Sequence, residues 1–296
     1  SFHHMRPTIA VVTNIEEDHL DFYKDINDIT ASFRKFLSLL PESGYALGNG
    51  DDARVCALLA ALPCRHETFG LHKDADWHAE NLTYDEQGHG SFDVIHAAEK
   101  LCHVRLNVPG GFNVLHALSS VAAAKELGID LNSAADTLDH FTGAHRRFEL
   151  TDTVDGVEVF QDYGHNPAEM RSALSMARKR ANSRGGRLWA VMQPHTYSRV
   201  KSLFDDYLTC TEEADFTLVT DICAAREKDP GDINSGMLVE GMRKHGIDAV
   251  WTPSFDDTEK FLKTYWKKGD LVLTMGCGDI NLLNEIMQKH GDTPGK

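Results

Sequence analysis

No apolar run in this 296-residue chain approaches the roughly 20 residues that a membrane-spanning helix needs, so no such helix is expected within it. Positive charge is scarce: 30 lysines and arginines face 45 acidic residues, for a net charge of −15. Nucleic acid and anionic membrane surfaces both demand a basic footprint, so neither is expected as a partner. A small anion held in one local basic pocket stays compatible with that balance. The six cysteines (Cys56, Cys64, Cys102, Cys210, Cys223, Cys277) form no C-x-x-C pair and no zinc spacing. They read as reduced thiols of a cytosolic protein, and no signal peptide is visible. Phosphate-loop signatures are missing as well: G-x-x-x-x-G-K-[S/T] occurs nowhere in the sequence. Gly276-Cys277-Gly278-Asp279 lacks the third glycine of a dinucleotide fingerprint and has no βαβ unit after it, so an NAD site is rejected.

What is present reads as two α/β domains, a number that suits the length. Residues 1–5 (Ser-Phe-His-His-Met) look like a tag remnant, and Thr8–Val12 is a buried-strand pattern that starts at once, as if an upstream portion were missing. That strand breaks into Thr13-Asn14-Ile15-Glu16-Glu17-Asp18-His19-Leu20-Asp21. Two readings stand for this cluster: oxygen ligands and an imidazole for Mg²⁺ at the end of a parallel strand, or a solvated acidic loop with a helix-capping aspartate. Six further histidines, His66, His72, His78, His89, His96 and His103, follow no metal-ligand spacing and read as surface or satisfied side chains. The candidate boundary is Phe141–Glu149, where Arg146 and Arg147 adjoin a glycine turn: residues 6–143 form one domain and 144–296 the other. In the second, strands at 188–192, 216–219, 249–251 and 270–273 alternate with helices, which predicts a doubly wound parallel sheet. One helix is expected over 200–208.

The densest signal is Phe160–Glu169. It reads as a strand end, a turn holding Asp162, Tyr163 and His165, and a helix start. Asn166-Pro167-Ala168-Glu169 has the grammar of an N-cap, a proline at the first helical position and a glutamate that reaches back. A histidine just ahead of a helix N-terminus is an address for phosphate or carboxylate. Two more strand ends, Gln193–Arg199 and Gly276–Asp279, carry chemistry-capable residues, so three loops from distant sequence are expected to line one crevice.

Six motifs occur in order: Asn14-Ile-Glu-x-Asp-His-Leu-Asp21, Pro109-Gly-x-x-Asn-Val-Leu-x-Ala-Leu118, Gly143-Ala-x-Arg-Arg-Phe-Glu149, Asp162-Tyr-Gly-His-x-Pro167, Gln193-Pro-His-x-Tyr-Ser-Arg199 and Gly276-x-Gly-Asp-Ile280. Together they resemble the Mur ligases, over essentially the whole chain. The resemblance implies an α/β protein: a truncated central ATPase domain followed by a Rossmann-like, doubly wound C-terminal domain. The N-terminal UDP-binding domain and the P-loop part of the central domain would be missing, leaving this fragment inactive alone. It further implies a cytoplasmic bacterial enzyme of peptidoglycan precursor synthesis that uses ATP and Mg²⁺. Its substrates would be UDP-N-acetylmuramate and L-alanine, joined through an acyl phosphate. By motif, His19 and Glu16 would attend a Mg²⁺, Asn113 the adenine, and Arg147 and Asp162 the phosphates and ribose. His165 would lie near the transferring phosphate and the acyl group. Tyr163, His195, Arg199 and Cys277 would face the amino acid and muramoyl side. The sequence departs from the family pattern at Phe112, His116 and Thr196, and Asn166 replaces a histidine.

Overall fold

The computed structural model describes residues 2–17 and 22–291. Contacts divide the chain into two compact units, Ser1–Thr142 and Gly143–Lys296, each built on one six-stranded sheet. Among the described residues no helix is long and apolar enough to cross a membrane.

The first unit runs β1 (Ile9–Val12), α1 (Ile26–Leu37), β2 (Tyr45–Asn49), α2 (Ala53–Leu59), β3 (Arg65–Gly70), β4 (Trp77–Tyr84), β5 (His89–His96), β6 (Glu99–Pro109), α3 (Gly111–Glu126) and α4 (Leu131–Asp139). Its strands lie in sequence order, parallel from β1 to β4 and antiparallel from β4 to β6. Successive strand residues point to opposite faces. Ala10, Val12 and Ala46 therefore bury against Ile29, Leu37, Val55 and Leu58 of α1 and α2. Leu47, Phe69, Phe92 and Val94 face Val114, Leu118 and Val121 of α3 on the other side.

The second unit runs β7 (Glu149–Val154), β8 (Val157–Asp162), α5 (Pro167–Arg184), β9 (Leu188–Met192), α6 (Tyr197–Ser202), α7 (Phe204–Tyr207), β10 (Phe216–Val219), α8 (Ser235–Lys244), β11 (Ala249–Trp251), α9 (Phe255–Tyr265), β12 (Leu271–Met275) and α10 (Asn281–Gly291). Strand order is β11-β10-β9-β12-β8-β7, and only β7 is antiparallel. The sheet is doubly wound, as the alternation of strands and helices predicts. Leu188, Ala190 and Met192 pack toward α5 and α8, while Trp189 and Val191 pack toward α9 and α10. The chain steps outward from β9 to β11 and then returns to insert β12 between β9 and β8. That reversal brings the carboxyl ends of β8, β12 and β9 side by side, which is where ligands collect in open α/β sheets.

Residues 2–4 form a short 3₁₀ turn in which the Phe2 ring meets Phe36 at 5.3 Å and His3 Nε2 lies 2.9 Å from the Ser32 carbonyl. The single helix expected over 200–208 starts earlier and is interrupted at Leu203, giving α6 and α7. The second antiparallel hairpin of the first unit turns at Ala97 and Ala98, both with positive φ (51° and 62°), so β6 begins at Glu99.

Candidate active site

In the second unit the loop after β8 is fixed from within. Asp162, 8% exposed, accepts Gly164 N–H on Oδ1 at 2.7 Å and Phe148 N–H on Oδ2 at 2.9 Å. Burial raises its carboxyl above the usual value, against the pull of those two N–H groups and of Arg147. A Cβ at position 164 would stand 2.8 Å from Asp162 Oδ1, so a larger residue there would have to displace that carboxylate. Beyond it, Asn166 Oδ1 accepts Glu169 N–H at 2.9 Å and Glu169 Oε2 accepts Asn166 N–H at 3.5 Å, a complete capping box, and the same oxygen accepts His165 N–H at 2.9 Å. The Glu169 carboxylate thus takes up the first N–H groups of this helix start. Tyr207 O–H donates to the His165 carbonyl at 2.6 Å, and His165 Nδ1 lies 3.2 Å from the Tyr163 carbonyl and 3.3 Å from Glu169 Oε2. With Nδ1 held by acceptors, Nε2 is the nitrogen left for chemistry.

The loop after β9 brings a second imidazole. Cys223 N–H donates to the Pro194 carbonyl, and Thr196 N–H donates to the Cys223 carbonyl, so His195 is bridged to the strand end after β10. The His195 and His165 rings stand 6.0 Å apart, nearly perpendicular. Arg199, on the first turn of α6, places Nη1 3.3 Å from His195 Nδ1. Burial and then the Arg199 charge push the His195 pKa down, which favours the neutral ring. Arg199 also acts electrostatically on the Cys277 thiol, which burial nevertheless pushes up to about 11.

The third loop, Gly276–Asp279, is tied to both others. Gly276 N–H donates to the Asp162 carbonyl at 3.2 Å, and Gln193 Nε2 donates to Asp279 Oδ1 at 2.6 Å. Arg146 straps it down: Nη2 donates to the Gly276 and Gly278 carbonyls at 2.9 and 3.1 Å. Both guanidiniums of the pair lie over the Tyr163 ring, at 4.9 Å for Arg146 and 5.3 Å for Arg147. The two arginines therefore differ in availability. Arg146 is committed to loop carbonyls, whereas Arg147 is an exposed residue. The sequence offered no sign that Arg146 and Gln193 would hold the glycine loop, because their partners are backbone atoms or lie far along the chain.

In the first unit, the loop after β1 is anchored by Asp52, which caps α2 with Oδ1 and accepts Ile15 N–H on Oδ2 at 3.0 Å. Glu16 is exposed there and accepts Asn14 Nδ2–H at 2.9 Å. His19, expected beside it, lies outside the described residues, and among those described no cluster of three or more metal-ligating side chains forms. At the start of α3, Asn113 Nδ2 donates to the Pro109 carbonyl at 2.7 Å. The Phe112 ring is exposed and meets His116 edge-on at 5.8 Å. Asn113 Oδ1 lies 3.4 Å from His116 Nδ1, so the amide keeps one N–H to offer beside the flat exposed Phe112 ring, a combination that fits a purine. The carboxylate of Glu16 is a hard oxygen donor of the kind Mg²⁺ takes.

These features are those of an α/β protein that gathers charged and polar side chains on loops at the carboxyl ends of its strands. Residues 2–124 match the Mur ligase middle domain and residues 146–278 match the Mur ligase, glutamate ligase domain. The chain belongs to the Mur ligase family. It is 41% identical over 290 residues to a UDP-N-acetylmuramate–L-alanine ligase of Acetivibrio thermocellus, covering 98% of this chain and 61% of that protein. Among solved structures it resembles the UDP-N-acetylmuramate-alanine ligase of Thermotoga maritima, with TM-score 0.76 and 22% identity over 97% of this chain and 60% of that one. A MurF ligase of Thermotoga maritima in complex with ADP gives TM-score 0.71 at 18% identity, over 96% of this chain and 63% of that one. The chain thus spans about three-fifths of the length of the relatives it matches.

Proposed function

We propose that this chain is the middle and C-terminal part of a bacterial cytoplasmic ligase that joins L-alanine to the lactyl carboxylate of UDP-N-acetylmuramate. ATP would become ADP and phosphate in the process. The likeness to alanine ligases across the whole chain favours that substrate pair. The observation that carries the chemistry is the meeting of His165, His195 and Arg199 on two loops flanking the Gly276–Asp279 turn. A carboxylate is a poor acyl donor until one oxygen leaves as phosphate, so transfer of the γ-phosphoryl group gives an acyl phosphate. The alanine amine attacks it and phosphate departs. Arg199 holds the alanine carboxylate. His195, kept neutral by burial and by Arg199, takes a proton as the amine attacks. His165 presents Nε2 to the phosphate and acyl group, and Tyr163 and Cys277 line the substrate side. Arg147 meets the nucleotide phosphates, Asn113 and Phe112 the adenine. Asp162 serves that contact through the loop it fastens. Mg²⁺, held by Glu16 and His19, would supply charge neutralisation between the carboxylate and the phosphates. Six unpaired cysteines suit a reducing compartment.

The test is ADP release by a longer protein containing this chain together with a P-loop and a UDP-binding domain. Release should require UDP-N-acetylmuramate, Mg²⁺ and L-alanine together. Turnover with L-alanyl-γ-D-glutamyl-diaminopimelate in place of L-alanine would refute the alanine assignment and indicate a recycling ligase. The 296 residues alone contain no phosphate-loop motif, and phosphoryl transfer depends on such a cradle. Measurable ligation by this chain alone would overturn that part of the proposal.

A further inference from the structure

We propose that Ser91, His103 and Asp93 on the antiparallel part of the first sheet form a serine nucleophile that takes acyl groups from small activated aryl esters. The proposed ligase chemistry uses none of these three residues.

The arrangement follows from strand register. Ser91 and Asp93 are two residues apart on β5 and so share one face, while Phe92 and Val94 between and beyond them bury in the core. His103 on β6 is the direct cross-strand partner of Asp93 and the diagonal neighbour of Ser91, which pairs with Arg105. His103 Nδ1 lies 2.7 Å from Asp93 Oδ1, and Nε2 lies 3.0 Å from Ser91 Oγ. With Nδ1–H given to the carboxylate, Nε2 carries the lone pair that accepts the serine proton. The orienting aspartate is itself held. Asn81, at an irregularity of β4 with φ 53°, donates Nδ2–H to Asp93 Oδ2 at 3.0 Å, and Lys100 Nζ stands 2.8 Å from Oδ1. The Lys100, Asn81 and His103 contacts hold the Asp93 carboxyl well below the usual carboxylate range, so it stays ionised. Asp93 is buried, whereas the His103 side chain is 48% exposed and reachable. Nucleophile to base and base to orienter are both within hydrogen-bond reach, the geometric requirement for an activated serine.

The step balances. Ser91 Oγ attacks the ester carbonyl carbon and passes its proton to His103 Nε2. The bond to the aryl oxygen breaks, and the imidazolium returns the proton to the departing phenolate. Water then attacks the acyl serine with His103 again as base, releasing the carboxylic acid and restoring the hydroxyl. Asp93 remains charged throughout and stabilises the imidazolium. The surrounding strand N–H groups are spent on the ladder, so no oxyanion hole assists. The gain is then limited to general-base catalysis, on the order of 10²–10⁴. That suffices for aryl esters with good leaving groups and not for amides.

The experiment incubates the chain with p-nitrophenyl acetate, follows p-nitrophenolate release, and maps acetylated peptides by mass spectrometry. Acetyl on Ser91 is expected, with the release rate falling at least roughly tenfold in Ser91→Ala and in His103→Gln. Equal rates in wild type and Ser91→Ala, or acetyl confined to Lys100 and other lysines, would overturn the proposal. A fluorophosphonate probe gives the second reading: its label should sit on Ser91, and a label unchanged in Ser91→Ala would count against the site equally.

Discussion

Replacing Asp162 by alanine separates a fold role from a ligand role at the centre of the candidate site. The carboxylate accepts two backbone N–H groups, from Phe148 and Gly164, and both would be left without it. A hydrogen bond to a charged acceptor contributes about 1.5–3 kcal/mol, so the gross loss is roughly 3–6 kcal/mol. Burial raises the Asp162 pKa despite those bonds, which means that keeping the charge inside costs part of what they return. The net loss is therefore about 2–4 kcal/mol. For a unit of this size that lowers the melting temperature by roughly 5–15 °C. Urea and thermal unfolding followed by the fluorescence of Trp189, buried in the same unit, reads it directly. The pH dependence has a fixed sign. A raised folded value means that the folded state holds the proton more tightly, so this residue favours folding below the ordinary value near 3.9 and loses that contribution as pH rises through the raised value. A loss below about 0.5 kcal/mol, combined with abolished ATP binding in the longer protein, would refute the fold role and make Asp162 a direct nucleotide contact.

Asn166→Ala should destabilise the second unit by about 1 kcal/mol through loss of the α5 cap, while Asn166→Asp keeps it; the urea midpoint distinguishes the two. Asp52→Ala removes both the α2 cap and the tie to Ile15 N–H, an expected loss of about 2–4 kcal/mol in the first unit by the same measurement. Burial would raise the Asp270 carboxyl, yet hydrogen bonds from Arg187 and Trp189 hold it below the usual value. Its contribution is therefore complete above about pH 4 and lost as pH falls through the lowered value, so Asp270→Asn should flatten the acid limb of the stability curve. Gly278→Ala would put a Cβ 2.5 Å from Gln193 Oε1 and 2.8 Å from Cys223 Sγ. Side chains there must shift, and alanine-dependent turnover of the longer protein should fall on the order of 100-fold with the fold retained.

Legibility in the sequence followed how local the determining interaction is. Leu188–Met192 is an unbroken apolar run that is read correctly as a strand, and the structure buries it on both faces. The capping box at Asn166 and Glu169 spans three residues and is likewise visible. The hairpin at Ala97-Ala98 was not, because alanine carries no turn signal and its two positive φ values are imposed by the pairing of β5 with β6. The break at Leu203 between α6 and α7 has no glycine or proline to announce it.

The two adjacent arginines make the same point at the site. Nothing in Arg146-Arg147 says which side chain turns to a ligand, since the decision lies with carbonyls some 130 residues away, at Gly276 and Gly278. Only the return of β12 between β8 and β9 brings those carbonyls within reach, and sheet order is a property of the whole unit. A testable asymmetry follows. Arg147→Ala should raise the KM for ATP in the longer protein and leave the fold intact, because Arg147 is an exposed residue and is the one assigned above to the phosphates. Arg146→Ala should instead lower kcat, because it frees the glycine loop, and Arg146→Lys should restore little, since one ammonium cannot reproduce the planar fork. Equal effects on KM and kcat from both variants would mean that the pair acts as one cationic patch, and that the division of labour drawn from the geometry is wrong.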